Sequence, residues 1–293
     1  MSGASRALDG RVPGLYPIVY AELIDRALRE DLGRAGDLTT DAVVPPGIRA
    51  VGELRAREGG RVAGLEVALE VFKRLDPAAE IEIGLADGAD AAAGDVLATV
   101  RGAAREMLSA ERTALNLLGR MCGIATVTRG MVASVAGTGA RIVCTRKTTP
   151  LLRALEKYAV KLGGGHNHRF GLDDAVLIKD NHREIAGGAA EAVRRARAHA
   201  GHLVKIEIEV DGLEELEEIL ELGVDAVLLD NMGPDQLRRA VELVAGRAIT
   251  EASGGITPET AAAKAASGVD LLSVGWLTHS ARCFDVGLDV HLP

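Results

Sequence analysis

The chain has 293 residues, enough for one large α/β domain or two modest ones, and a formal net charge of −8 that excludes a broad basic nucleic-acid surface. Aromatic residues make up only 2%, so the core must be built from Val, Leu, Ile and Ala. No apolar run approaches the roughly 20 residues that cross a bilayer, and the opening MSGASRALDGRVPGLYPIVY lacks the compact apolar centre of a signal peptide.

The first residues read as a disordered lead-in. A helix is expected over 21–32 and a loop over 33–47. RAVGELRARE, GRVAGL, EIEIGLA and DVLATVRG then read as strands, separated by the turn signals Gly59-Gly60, Asp87-Gly88 and Gly94-Asp95 and interrupted by a helix over 66–75. Residues 104–136 read as a long helical stretch broken near Gly119 to Gly123. The chain changes character near residue 118. From residue 141, β-branched runs alternate with amphipathic helices. The strands are RIVCTRK, DAVLIKD, VKIEIEV, DAVLLDN, AITEASGG and DLLSVGW. The helices are LRALEKYAVKL, IAGGAAEAVRRARAHA, LEELEEILEL, PDQLRRAVELV and PETAAAKAAS, with Asp211 and Thr257 as N-caps and Pro234 and Pro258 in first turns. Near-continuous apolar strands between helices predict a covered parallel sheet. At or just past the strand ends stand Arg146 and Lys147, Lys179, Glu209, Asp230, Ser253 and Gly275. In a βα barrel that face carries the active site. Six clear strands predict an incomplete barrel, with 164–169 as a candidate further strand.

Cys144–Arg183 holds eight lysines and arginines against four acids, a cationic island suited to a small, highly charged anion. Arg146 and Lys147 follow an apolar strand directly. In GGGHNHR, residues 163–169, glycines allow close backbone approach to a ligand and Arg169 suits a carboxylate. His166 and His168 lack a third ligand at zinc spacing. Lys179 closes an apolar strand, as a Schiff-base lysine or as an anion clamp. Glu209 and Asp230 end neighbouring strands and suit Mg²⁺, developing positive charge, or pairing with Lys147 and Lys179. Glu207 shares the inward parity of Glu209 but lies farther from the mouth. Ser253-Gly254-Gly255 and Gly275 follow the last two strands, where barrels bind phosphate. Cys122, Cys144 and Cys283 form neither a disulfide framework nor a metal spacing, so a reduced cytoplasmic enzyme is expected.

EDLGRAGDLTT, ERTALNLLGRMCGIAT, TRKTTPLLRALEKYAVKLGGGHNHRFGL, LIKDNH, IEIEVD, LLDNM, EASGGI and SVGWLTHS run in this order from about Glu30 to Ser280. Together they resemble the quinolinate phosphoribosyltransferase family. The resemblance implies an N-terminal α/β sandwich, 1–117, joined by the tail 278–293, and an atypical parallel α/β barrel, 118–277. It implies transfer of phosphoribose from phosphoribosyl pyrophosphate to quinolinate with loss of CO₂, requiring Mg²⁺. It also implies a homodimer with shared active sites, with further assembly left open, and no nucleic-acid or membrane partner. Arg112, which its own spacing does not distinguish from a surface residue, gains by resemblance a role in the partner's site. With Arg146, His168 and Arg169 it would surround the two carboxylates. Lys147 and Lys179 would lie between quinolinate and pyrophosphate. Glu209 and Asp230 would engage ribose hydroxyls and Mg²⁺, and Ser253, Gly254, Gly255 and Gly275 the 5′-phosphate. The chain departs from the family pattern at Cys144, Leu151 and Ala252, where Asp, Gly and Ser are common. Cys144 receives no catalytic role. Three alternatives are a paralogue of the same fold found with molybdate uptake, a Schiff-base lyase using Lys179 or Lys147, and a non-catalytic anion-binding protein.

Overall fold

The computed structural model describes residues 12–293, and the expected N-terminal lead-in lies outside the described residues. In chain order the elements are α1 (Ala21–Leu32), α2 (Leu38–Val43), β1 (Arg49–Ala56), β2 (Gly60–Arg61), α3 (Leu65–Leu75), β3 (Glu80–Ile83), β4 (Asp90–Ala91), β5 (Val96–Ala103) and α4 (Ala104–Ser134). There follow β6 (Arg141–Val143), α5 (Arg153–Leu162), β7 (Val176–Ile178), α6 (Asp180–Ala186), α7 (Ala189–His199), β8 (Ile206–Val210) and α8 (Leu213–Glu221). The chain continues with β9 (Ala226–Asp230), α9 (Pro234–Val244), β10 (Ile249–Ser253), α10 (Pro258–Ala265), β11 (Leu271–Ser273), α11 (Trp276–His279) and β12 (Val286–His291). Two compact units result. The first runs to Thr126 and adds Ala154–Gly163 and Arg282–Pro293; the second comprises Val127–Arg153 and Gly164–Ala281.

The first unit holds an antiparallel sheet in the order β12-β1-β5-β3, so the C-terminal tail supplies an edge strand against β1. Alternate residues of β1, among them Ala50, Leu54 and Ala56, are buried, as a half-covered strand requires. The expected loop over 33–47 contains α2, because Asp37 caps it by accepting from the Thr40 N–H at 2.9 Å. The expected break near Gly119 to Gly123 does not occur, and α4 is continuous. Those glycines instead admit the C-terminal backbone. A Cβ on Gly123 would stand 2.1 Å from the Arg282 carbonyl, and the Phe284 N–H donates to the Gly119 carbonyl at 2.9 Å.

The second unit holds a six-stranded parallel sheet in the order β6-β11-β10-β9-β8-β7. The candidate strand over 164–169 is a single bridge between His166 and Val143. One parity of the strands (Ile142, Ile208, Val227, Leu229, Ala252, Leu272) joins helix residues such as Leu216, Leu237 and Ala261 in the core. The other parity lines open space: Glu207 and Glu209 on β8, Leu228 and Asp230 on β9, Glu251 and Ser253 on β10. Thr257 caps α10 as expected, accepting from the Thr260 N–H at 3.4 Å. The cap of α8 is Gly212; Asp211, expected there, pairs with Arg183 at 3.0 Å instead. The helix expected over 185–200 parts at Gly187 and Gly188, both with positive φ, into α6 and α7. Leu151, where the family commonly has Gly, has φ 68°, a left-handed conformation that a β-carbon disfavours.

Candidate active site

Beyond the C-terminal ends of the parallel strands lies a cleft of about 420 Å³, and next to it a cavity of about 470 Å³. Arg146, Lys147, His168, Arg169, Lys179, Glu209, Asp230 and Ser253 line the cleft. Gly254, Gly255 and Gly275 line the cavity, together with Lys147, Asp230 and Ser253. Arg112 belongs to the first unit, where its side chain is 66% exposed on α4 and Glu111, 4.0 Å away, is its one ion-pair neighbour among the described residues. Cys144 is buried, its thiol donating to Asn167 Oδ1 at 3.3 Å.

The two lysines are placed differently, Lys179 by the local turn into α6 and Lys147 by partners distant in the chain. β7 stops at Ile178, and the Lys179 N–H donates to His182 Nδ1 at 2.9 Å as α6 begins, which leaves the lysine side chain at the rim. Thr278 Oγ1 donates to the Lys147 carbonyl at 2.8 Å and fixes the backbone beneath that lysine. Gly275 leaves room for it, since a Cβ there would lie 3.1 Å from Lys147 Cδ.

The charges divide the cleft. On one side, burial and then the neighbouring Arg146 weaken the hold of the Arg169 guanidinium on its proton. Two crowded guanidiniums favour a dianion between them. On the other side, burial raises the Glu209 carboxyl; Lys179, 3.8 Å away, opposes this, and Asp230, Asp180 and Asp211 add to it. That side attracts positive charge.

One layer deeper His168 and Glu207 meet Glu251, the member of this cluster that sequence reasoning missed. His168 Nε2 lies 3.0 Å from Glu207 Oε2 and 3.5 Å from Glu251 Oε1. His168 Nδ1 accepts the Arg169 N–H at 2.7 Å. Both ring nitrogens thus face protein groups, and the imidazole orients the residue that carries the guanidinium. Glu251 is 2% exposed, and its Oε1 has no hydrogen-bond partner among the described residues. Burial, then Glu207, pushes its carboxyl up to about 7, with His168 and a Ser273 hydrogen bond opposing. Its parity with Ser253, two residues on, was the signal available in the sequence. A carboxyl raised in the folded state stabilises the protein while protonated. That contribution is complete below the ordinary carboxyl value and is lost as pH rises through about 7. Glu251→Gln should therefore gain thermal stability relative to wild type between about pH 5.5 and about pH 8, read from melting temperatures across that range. A difference between the two proteins that stays flat with pH would refute the assignment.

Family models for the quinolinate phosphoribosyl transferase N-terminal and C-terminal domains match residues 37–122 and 124–289. The chain is 47% identical over 274 residues to the carboxylating nicotinate-nucleotide pyrophosphorylase of Mycobacterium leprae (strain TN), covering 92% of this chain and 96% of that protein. It is 42% identical over 271 residues to the probable carboxylating nicotinate-nucleotide pyrophosphorylase of Bacillus subtilis (strain 168), covering 92% and 93%. The crystal structure of NadC from Streptococcus pyogenes superposes with a TM-score of 0.93 at 37% identity, covering 96% of this chain and all of that one.

Proposed function

The chain belongs to the quinolinate phosphoribosyltransferase family, and we propose that its cleft seats quinolinate on the arginine side and phosphoribosyl pyrophosphate along the acidic and glycine-lined side. The activity is transfer of phosphoribose to quinolinate with decarboxylation, giving nicotinate mononucleotide, pyrophosphate and CO₂ in NAD biosynthesis. The observation that carries the seating is the division of charge: Arg146 and Arg169 crowd one wall, and Glu209 and Asp230 the other.

In this reading Arg146 and Arg169 hold the vicinal carboxylates, with His168 setting the direction of Arg169. Arg112 of a second copy completes the carboxylate site, which makes the working unit a homodimer. Lys147 and Lys179 neutralise charge between the dianion and pyrophosphate. Glu209 and Asp230 hold the ribose hydroxyls and stabilise the positive charge that grows on the ribose as pyrophosphate departs. Ser253, Gly254, Gly255 and Gly275 receive the 5′-phosphate. Glu209, Asp211 and Asp230 offer carboxylate oxygens within 4.8 Å of one another, a hard donor set that fits Mg²⁺, which when bound would supply charge compensation for the diphosphate.

The chemistry follows from charge and orientation. The pyridine nitrogen gives its lone pair to C1 of the ribose as the C1–O bond to pyrophosphate breaks, and the enzyme contributes alignment and neutralisation. The ring nitrogen is now positive. The adjacent carboxylate leaves as CO₂, its bonding pair stays on the ring carbon beside that nitrogen, and a proton completes the C–H bond. Among the described residues no helix is long and apolar enough to cross a membrane, and the reading places the enzyme in the cytoplasm.

The test is an assay of purified protein with quinolinate, phosphoribosyl pyrophosphate and Mg²⁺, following nicotinate mononucleotide and CO₂ together. Equal amounts of both are expected. Folded protein that makes neither would shift the reading to a paralogue acting on another base.

A further inference from the structure

The glycine pair after β10 has both carbonyls tied back to α10. Lys264, only 7% exposed, donates from Nζ to the Gly254 carbonyl at 3.0 Å and to the Met232 carbonyl at 2.9 Å. Thr260, one turn earlier, donates from Oγ1 to the Gly255 carbonyl at 3.0 Å. In a trans peptide the N–H points opposite to the C=O. The two contacts therefore turn the N–H groups of Gly255 and Ile256 away from α10, and both residues line the 470 Å³ cavity. Neither N–H has an acceptor among the described residues. Gly254 and Gly255 have φ of 81° and 60°, and a Cβ on Gly254 would meet Asn231 Oδ1 at 2.1 Å. The loop thus keeps a shape that other residues resist. Burial lowers the hold of Lys264 on its proton, with Asp230 opposing, and Nζ stands behind the two free donors, bonded to the Gly254 and Met232 carbonyls.

We propose that Lys264 and Thr260 are positioning residues for phosphate recognition, shaping the Gly255–Ile256 cradle from behind without touching the ligand. The inference rests on the reading of this cavity as the 5′-phosphate subsite. It adds that the donors are presented by α10 side chains lying outside the cavity.

The experiment uses the full chain with ribose 5-phosphate as probe. Lys264→Met should weaken ribose 5-phosphate binding, measured by calorimetry, and raise the KM for phosphoribosyl pyrophosphate, each by about tenfold or more. The KM for quinolinate should stay within about twofold. Thr260→Val should act in the same direction with a smaller effect. In the wild type, saturating ribose 5-phosphate should slow amide hydrogen exchange over residues 254–257. A folded Lys264→Met protein with unchanged ribose 5-phosphate affinity overturns the inference, as does an equal rise in both KM values. Should that variant not fold, wild-type exchange decides: no protection over 254–257 overturns it. A wild type that binds no ribose 5-phosphate overturns the phosphate reading itself, a failure separate from that of Lys264.

Discussion

Arg112→Ala and Lys147→Ala should each abolish measurable turnover, and mixing the two inactive proteins under subunit exchange should restore it. Both side chains are exposed, so either substitution should change stability by no more than about 0.5 kcal/mol. The losses should therefore appear in kinetics and not in melting temperature. The logic of mixing is geometric. If Arg112 serves the partner's site, a mixed dimer has one site with both residues native and one with both missing. Random exchange makes about half of the dimers mixed, so activity should recover to about one quarter of wild type. If Arg112 served its own subunit's site, every site in the mixed dimer would lack one residue and nothing would return. Demonstrated mixed dimers with no activity would sink the shared site.

Glu209→Gln should lower kcat by roughly 10²–10³-fold, the usual cost of removing one group aimed at developing charge. The substitution keeps the side chain's shape. It removes the charge that faces Lys179 at 3.8 Å and one of three carboxylates able to share a cation. The KM for quinolinate should hold within about threefold, because the proposed carboxylate site, Arg146 and Arg169, lies on the other wall. The Mg²⁺ concentration giving half-maximal rate should rise. Steady-state rates over a Mg²⁺ series read all three quantities, and a kcat within about fivefold of wild type would remove Glu209 from the chemistry.

The barrel strands were legible because apolar parity and strand-end polarity coincide in them. VKIEIEV and DAVLLDN place Glu209 and Asp230 at the mouth by counting alone. Features set by distant partners were not legible. Gly119 and Gly123 look like helix breakers until the C-terminal backbone is seen against α4. Lys264 looks like a surface residue of PETAAAKAAS until it is found reaching the Met232 and Gly254 carbonyls. Glu251 was hidden in AITEASGG because an acid two residues short of the mouth resembles a tolerated polar residue, and only the packing of His168 and Glu207 around it gives it meaning. Asp211 fits an N-cap by position, but Arg183, also in the second unit, draws its carboxylate away. Arg112 carries no local signal, and the role proposed for it comes only from the family resemblance.

The alternation that sends every second residue of β8, β9 and β10 into the cleft also restricts how the chain can change length. Losing or gaining one residue inside any of these strands would exchange its two faces, turning Glu209 or Asp230 toward the helices and Ile208 or Leu229 into the cleft. Unless a bulge absorbs it, such an indel disturbs the core face and the cleft face in one step. Tolerated insertions belong in the helix-to-strand connections at the far end, such as 200–204 and 245–248, where neither face is at stake.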